Sequence, residues 1–241
     1  MIRNLLKRIL KALQLPLTEN LAIDIHTEQI IKQLAQQGKI QNCVDVGVLE
    51  GEILELFLKF IPKGQHAGVE PLPKQFEILK AKFKANPNIQ LHNFAAGAQN
   101  GESTFNMVIS NPSYSGLKKR DYPKSEEIKE IKVEVRKLDD ILYRAEKIDL
   151  IKIDVEGAEY DVLSGATTIL KEDKPIIIFE FGLGASNHYG IDANKMYDLL
   201  VTQHQYKMYT LKGWLRKEAP LTQDVLEDYY TTNKHYYFIA E

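Results

Sequence analysis

Short apolar runs alternate with amphipathic segments from residue 28 to the end of the chain, and no other feature narrows the fold as much. Residues 28–37 have helical periodicity and stop at Gly38, a residue suited to the left-handed turn that closes a helix. Cys43, Val44, Asp45 and Val46 form an apolar strand running into Gly47. Residues 53–60 predict a helix that must end before Pro62. A second strand follows at 66–70, then an amphipathic helix at 74–84 with Phe76, Leu79 and Phe83 on one face, then a third strand at 89–93. The rhythm changes at 104–109 and 131–136, which alternate as half-exposed strands do. Between them, residues 110–130 are rich in Ser, Pro, Lys and Glu and predict a mobile lid with few apolar anchors. The pattern resumes with a strand at 148–153, a helix at 159–170 and a strand at 175–181. A helix at 193–203 and strands at 206–211 and 236–240 complete it, with no long helix between the last two strands. Such alternation demands a mostly parallel sheet covered on both faces. The expected fold is a doubly wound α/β domain over residues 28–241 with an antiparallel edge strand. Its ligand site belongs at the carboxyl ends of the strands.

Residues 1–27 are read as a separate amphipathic arm. Arg3, Lys7, Arg8 and Lys11 stand among Ile2, Leu5, Leu6, Ile9, Leu10 and Leu13 at helical spacing, with Pro16 as a stop. The segment is too short and too charged to span a bilayer, and it has no cleavable apolar core of the secretory kind. It suits packing on the domain or on a second subunit, or peripheral contact with an anionic lipid surface. Over the whole chain 31 basic residues are matched by 33 acidic ones, so nothing favours nucleic acid as a partner. The single cysteine, Cys43, excludes an internal disulfide and a cysteine-rich zinc site and fits a reducing, cytoplasmic setting.

Three strand ends carry polar groups that a buried strand would not otherwise hold. The turn Asp45-Val46-Gly47-Val48-Leu49-Glu50-Gly51 has GxxxG spacing, which lets a ligand approach the backbone but lacks the third glycine of a dinucleotide fingerprint. GxxxxGK[ST] is absent as well, which disfavours a nucleoside triphosphate. Glu70 ends the second strand, where an acid can accept both hydroxyls of a ribose. Its removal is expected to spare the fold, because it ends a strand. The run Ile151-Lys152-Ile153-Asp154-Val155-Glu156-Gly157-Ala158-Glu159 brings carboxylates to the mouth of the sheet. Glu156 and Glu159 also suit the start of the next helix, whereas that reading explains Asp154 poorly.

In this order and spacing, DVGVLEGE, GVEPLP, IKIDVEGAEYDVLSGA and IIIFEFG resemble the FkbM-type S-adenosylmethionine-dependent methyltransferases. Lys137-Leu138-Asp139-Asp140 matches the leucine-aspartate step that the family has before the KIDVEGAE strand, and Leu163-Ser164-Gly165-Ala166 matches its L-x-GA. The resemblance implies a seven-stranded, Rossmann-like methyltransferase fold. By the same resemblance Gly47 and Gly51 flank the methionyl part of the cofactor, Asp45 belongs to the cofactor-binding set, Glu70 holds the ribose and Ala95 and Ala96 pass the adenine. Asp154 then contacts the cofactor's amino group or the substrate. One departure stands out: the family often reads DVGANxG, and Val48 and Leu49 replace Ala and Asn here. A polar contact at the methionine end would then come from elsewhere, such as Glu50 or Glu52.

The expected reaction moves a methyl group from S-adenosylmethionine, leaving S-adenosylhomocysteine, to a hydroxyl of a sugar, glycan or other small molecule. A hydroxyl acceptor benefits from a base, and Asp154, Glu156, Glu180 and His188 are the candidates. A divalent metal on Asp154, Glu156 and Glu180 is a less favoured reading of the same acids. A nicotinamide enzyme competes but lacks the pyrophosphate glycines. A catalytically silent cofactor-binding subunit is the alternative outside enzymology, and the Val48-Leu49 departure is its only support.

Overall fold

The computed structural model describes residues 17–142 and 146–241, so the basic segment and Pro16 lie outside the described residues. The first helix, Glu19–Gln36, begins where the Thr18 side chain accepts the Leu21 N–H, at 3.3 Å. It therefore starts well before residue 28, and a boundary at residue 27 falls inside it. Leu21, Ile25, Ile30, Ile31 and Leu34 are buried, so the early turns pack on the domain with the later ones.

Seven strands form the main sheet: β1 (Cys43–Val46), β2 (His66–Val69), β3 (Ile89–His92), β7 (Leu150–Ile153), β8 (Ile176–Glu180), β9 (Met208–Thr210) and β10 (Tyr237–Ala240). Their order is β3-β2-β1-β7-β8-β10-β9. The pairs from β3 through to β8 are parallel, as expected for strands joined by helical crossovers. The antiparallel strand is β10, which lies one place in from the edge, between β8 and β9. Phe238, Ile239 and Ala240 are all fully buried, which suits a strand paired on both sides and leaves the three-residue β9 at the rim. A second sheet joins β4 (Ala95–Ala96), β5 (Gly101–Val108) and β6 (Ile128–Arg136) in the order β4-β6-β5.

Period-two side-chain alternation divides the core between the two faces of the main sheet. Val44, Val46, Ile151, Ile153, Ile177 and Phe179 pack into one cluster. Cys43, Leu150, Ile178 and Ile239 belong to the other, beneath Ile30, Leu34, Leu54 and Phe57 of the helices Glu19–Gln36 and Glu52–Phe60. By the same alternation Asp45 and Lys152 fall on the second face, among aliphatic neighbours.

Two connections differ from the periodicity. The expected helix at 159–170 is two short ones, Glu159–Ser164 and Thr167–Glu172. At Gly165 a Cβ would stand 2.0 Å from the Gly97 carbonyl oxygen, so only glycine lets the loop after β4 cross there. Asp139 caps the second helix from a distance, accepting the Thr168 and Ile169 N–H groups at 2.8 and 3.0 Å. The connection from β9 to β10 contains the helices Leu211–Leu215 and Gln223–Thr232. The longer one escapes the pattern because it buries only Leu226 and Tyr230, too few positions for a visible apolar stripe. Among the described residues, no helix is long and apolar enough to cross a membrane.

Candidate active site

The carboxyl ends of β1, β2, β7 and β8 meet in a cleft, and glycine geometry sets how closely they meet. Gly47 leaves β1 at φ 89°, and a Cβ there would come 1.9 Å from the Asp154 carbonyl oxygen. Leu49 follows in the left-handed region at φ 48°, a conformation that asparagine tolerates better than leucine. Its N–H donates to Glu70 Oε2 at 2.9 Å, while Glu70 Oε1 accepts the Leu72 N–H at 2.8 Å. Glu70 is thus a clamp between two turns, and it is only 4% exposed. Burial raises its pKa, and the two N–H groups oppose that rise. The expectation that its loss spares the fold is therefore corrected: removal would orphan two backbone donors.

Glu70 lines a cavity of about 670 Å³, with Leu49, Leu72, Ala95, Ala96 and Phe105 around it. One carboxylate beside apolar walls is the surface that a flat ring bearing vicinal hydroxyls requires. Gly47 also lines this cavity, whereas Gly51 does not. Gly51 sits at φ 79°, where a Cβ would press on Phe83 at 2.8 Å, so its role is to start the helix Glu52–Phe60 against the packed core.

A second compartment holds the charges. Asp45 and Lys152 are register partners on β1 and β7. Asp45 is 1% exposed, and among the described residues neither carboxylate oxygen has a hydrogen-bond partner. Burial pushes its pKa up to about 7, with Lys152 opposing and Asp154 and Glu70 adding to the rise. Lys152 Nζ donates to Asp154 Oδ2 at 3.1 Å, and the Tyr237 hydroxyl donates to the same oxygen. Burial would push Asp154 up, but Lys152 and the hydrogen bonds from Glu180 and Tyr237 outweigh it and hold its pKa at about 2. Glu180 moves the opposite way: burial and the Asp154 charge raise it well above the carboxylate range. The opposite shifts make Asp154 the more acidic and Glu180 the more basic member of one coupled pair.

Asp154, Glu156 and Glu180 offer oxygens that all lie within 4.8 Å of one another. Glu156 is held at φ 60° in a turn tied by Glu159, whose Oε1 accepts the Val155 and Gly157 N–H groups, both at 3.1 Å. Glu159 is fully buried, and burial raises its pKa to about 7. Its part is structural, as the helix-start reading implied. The segment between β5 and β6 folds down over the acids: Arg120 pairs with Glu156 and sits over the Tyr114 ring at 5.4 Å. The three carboxylates could hold a divalent ion, and the Arg120 guanidinium supplies positive charge at the same place.

This segment, expected to act as a mobile lid, is tied to neighbouring loops by polar contacts. Lys118 N–H donates to the Tyr189 hydroxyl at 2.9 Å, and Asp121 N–H donates to the Gly184 carbonyl at 2.8 Å. His188 meets Asp121 at 3.2 Å on the outer side of these contacts. It lines none of the three cleft compartments, so the structure does not bring His188 together with Asp154, Glu156 and Glu180. Its position corrects the placement of this histidine as a base within the cleft.

The third compartment, of about 1220 Å³, opens beyond the acids between the first helix, Tyr114, Arg120, Asn233, Tyr236 and Tyr237. Lys152, Arg120 and Tyr237 were not singled out from sequence. A lysine inside a four-residue strand that is buried throughout was a usable signal. Arg120 and Tyr237 lie in a loop and a distant strand, and nothing local marks them.

The model of the methyltransferase FkbM domain matches residues 45–208, more than half of the chain. The chain belongs to the FkbM methyltransferase family. Over 171 residues it is 27% identical to the 2-O-methyltransferase NoeI of Sinorhizobium fredii (strain NBRC 101917 / NGR234), covering 64% of this chain and 67% of that protein. The solved FkbM methyltransferase from Methylobacillus flagellatus KT superposes with a TM-score of 0.52 at 17% identity, covering 84% of this chain. The chain spans 44% of the length of that structure, and the likeness shows a shared fold.

Proposed function

We propose that the protein transfers a methyl group from S-adenosylmethionine to a hydroxyl oxygen of a sugar or similar small polyol. The observation that carries the reading is the meeting of three compartments at one residue, Asp154, which lines all of them. Glu70 and the walls Leu72, Ala95 and Ala96 suit a ribose and an adenine. The unpartnered oxygens of buried Asp45 suit an ammonium group. The residues present therefore fit the cofactor. When bound, S-adenosylmethionine supplies a methyl group already activated on a sulfonium.

The chain's own work is binding, alignment and proton handling. Tyr114, Tyr236 and Tyr237 offer aromatic faces in the third compartment, and Asn20, Asn233 and Glu156 offer hydrogen-bonding groups. That mixture suits a ring with hydroxyls on its edge. Arg120 and Tyr114 cover the acids and limit water. Asp154, held anionic by Lys152 and Tyr237, is too weak a base to take a hydroxyl proton readily but can orient the acceptor through that hydroxyl. Glu180 is the better base once it has lost its own proton, because its raised pKa matches the task. A cofactor-binding subunit without catalysis would have no need of a pocket and a high-pKa acid beyond the cofactor cavity.

The test is methyl transfer from isotopically labelled cofactor to a panel of monosaccharides, oligosaccharides and simple alcohols, with mass analysis of products. Calorimetry on the same preparation should show S-adenosylhomocysteine binding and no NAD binding. NAD binding tighter than either sulfur compound would sink the cofactor assignment.

A further inference from the structure

Beside the acceptor compartment lies a groove of about 1170 Å³ with a different character. Lys212, Arg216, His26 and His235 converge on it from three separate parts of the chain: the first helix, the helix Leu211–Leu215 with its cap, and the loop before β10. The groove shares Ile23, Tyr236 and Tyr237 with the acceptor compartment, so the two are continuous. Lys212 and Arg216 are exposed and have no ion-pair partner among the described residues. The acid that lines the groove is Glu19.

The electrostatics agree with the geometry. Burial, then Lys212, then Arg216 depress the pKa of His26. Burial, Lys234 and Lys212 depress that of His235, with Glu19 opposing. Groups of one sign that disfavour one another's charge are relieved by an anion placed among them. The cleft next door is mainly acidic, with Asp24, Asp154, Glu156 and Glu180 facing Arg120, the one cation that lines it among the described residues. A ligand spanning both would be neutral and hydroxyl-rich at one end and anionic at the other.

We infer that this groove is an anion subsite, formed by Lys212, Arg216, His26 and His235, that takes a phosphate or diphosphate carried by the methyl acceptor. The inference rests on the acceptor compartment proposed above and adds the substrate class: a phosphorylated or diphosphate-linked sugar. The phosphate could belong to a soluble sugar phosphate or to a lipid-linked one, and both present the same group to the same four side chains.

The test uses the full chain and inorganic pyrophosphate as probe, with histidine ring resonances followed by NMR. Pyrophosphate should shift the His26 and His235 signals and raise both pKa values toward neutrality. The double variant Lys212→Gln/Arg216→Gln, both positions being exposed, should weaken pyrophosphate binding at least tenfold while leaving S-adenosylhomocysteine affinity unchanged. Lys212→Arg should retain binding. The absence of a pyrophosphate effect, or an equal effect in the double variant, overturns the subsite. It does so whether or not the cofactor analogue binds, so the subsite and the methyl-transfer reading fail separately. Vesicles of phosphatidylcholine with and without phosphatidylglycerol form the second arm. Capture by the anionic vesicles without pyrophosphate binding also overturns the subsite, in favour of a membrane surface. Pyrophosphate binding that anionic vesicles displace supports it with a lipid-linked acceptor; binding that they leave untouched supports it with a soluble one.

Discussion

Asp45 and Lys152 stand side by side on β1 and β7, a carboxylate and an ammonium inside a face otherwise packed with aliphatic groups. Lys152 gives its hydrogen bond to Asp154, so Asp45 has charge nearby and no donor of its own. Such a group is costly to bury, and its presence at the cleft is explained by what it can hold.

Asp45→Asn tests that explanation through a trade between stability and binding. The folded-state pKa is raised to about 7, above the ordinary carboxylate value. The folded protein therefore holds this proton more tightly than the unfolded chain does. Stability attached to this group is complete below the unfolded pKa and is lost as pH rises toward 7. The asparagine variant should melt higher than the parent at pH 8 and about equally at pH 4, while S-adenosylhomocysteine affinity falls at least tenfold at pH 8. A variant that melts lower at pH 8 would mean that Asp45 stabilises the fold through Lys152.

Glu70 should be sensitive even to the loss of one acceptor oxygen. Glu70→Ala orphans the Leu49 and Leu72 N–H groups, and each buried unmet donor costs about 1–3 kcal/mol. Glu70→Gln keeps one acceptor and should lose about half as much. Denaturant unfolding gives the stability change, and calorimetry gives a loss of cofactor-analogue affinity alongside it. Equal stability of Glu70→Ala and the parent would show that the clamp is not made in solution.

Turnover should rise with pH through the raised pKa of Glu180. Burial and Asp154 keep its proton on above the usual carboxylate range, so the base is unavailable at low pH and becomes available as pH increases. Glu180→Gln should lower kcat by about 10²–10⁴ and flatten that rise. His188→Ala should leave the pH profile as it was, because His188 contacts Asp121 outside the acidic cluster. A flattened profile in His188→Ala would return the histidine to the mechanism.

Arg120 should control how firmly the segment between β5 and β6 is held. Arg120→Gln breaks the pair with Glu156; both side chains are mostly buried, so leaving the Glu156 charge uncompensated should cost about 3–5 kcal/mol of global stability. Amide exchange at residues 116–122 should accelerate at least tenfold, and the KM for the acceptor should rise. Exchange that stays at the parent rate would assign the ordering to the Lys118 and Asp121 backbone contacts instead.

Leu49→Asn should stabilise the chain. Leu49 occupies the left-handed region at φ 48°, where a non-glycine residue other than Asn or Asp is disfavoured by roughly 1–2 kcal/mol. The Leu49 N–H donation to Glu70 is a backbone contact and survives the change. A higher melting temperature with unchanged cofactor affinity is expected. A lower one would show that the leucine side chain, which lines two compartments, contributes more by packing.

The strands of the main sheet were legible in the chain because period and composition are local. A run such as Leu150-Ile151-Lys152-Ile153 is buried on both faces, and its neighbours are helices of ordinary length. The glycine turn, Glu70 and the acids after β7 were legible for the same reason: each interrupts an apolar strand at its end, where only a ligand, water or a cap can accept charge. The Asp139 step was also visible in sequence, although its capping of the helix Thr167–Glu172 was not.

Tertiary structure decided the rest, because the groups that meet come from elements with no local relation. Tyr237 reaches Asp154 only because β10 inserts between β8 and β9, in register with Glu180. Arg120 reaches Glu156 only because the segment after β5 folds back over the cleft. Proton affinities followed the same division. Asp45, Asp154 and Glu180 are three carboxylates of similar intrinsic acidity. Burial, one lysine and the hydrogen bonds to Asp154 separate them, holding Asp154 at about 2 and Asp45 at about 7 and raising Glu180 well above its ordinary range.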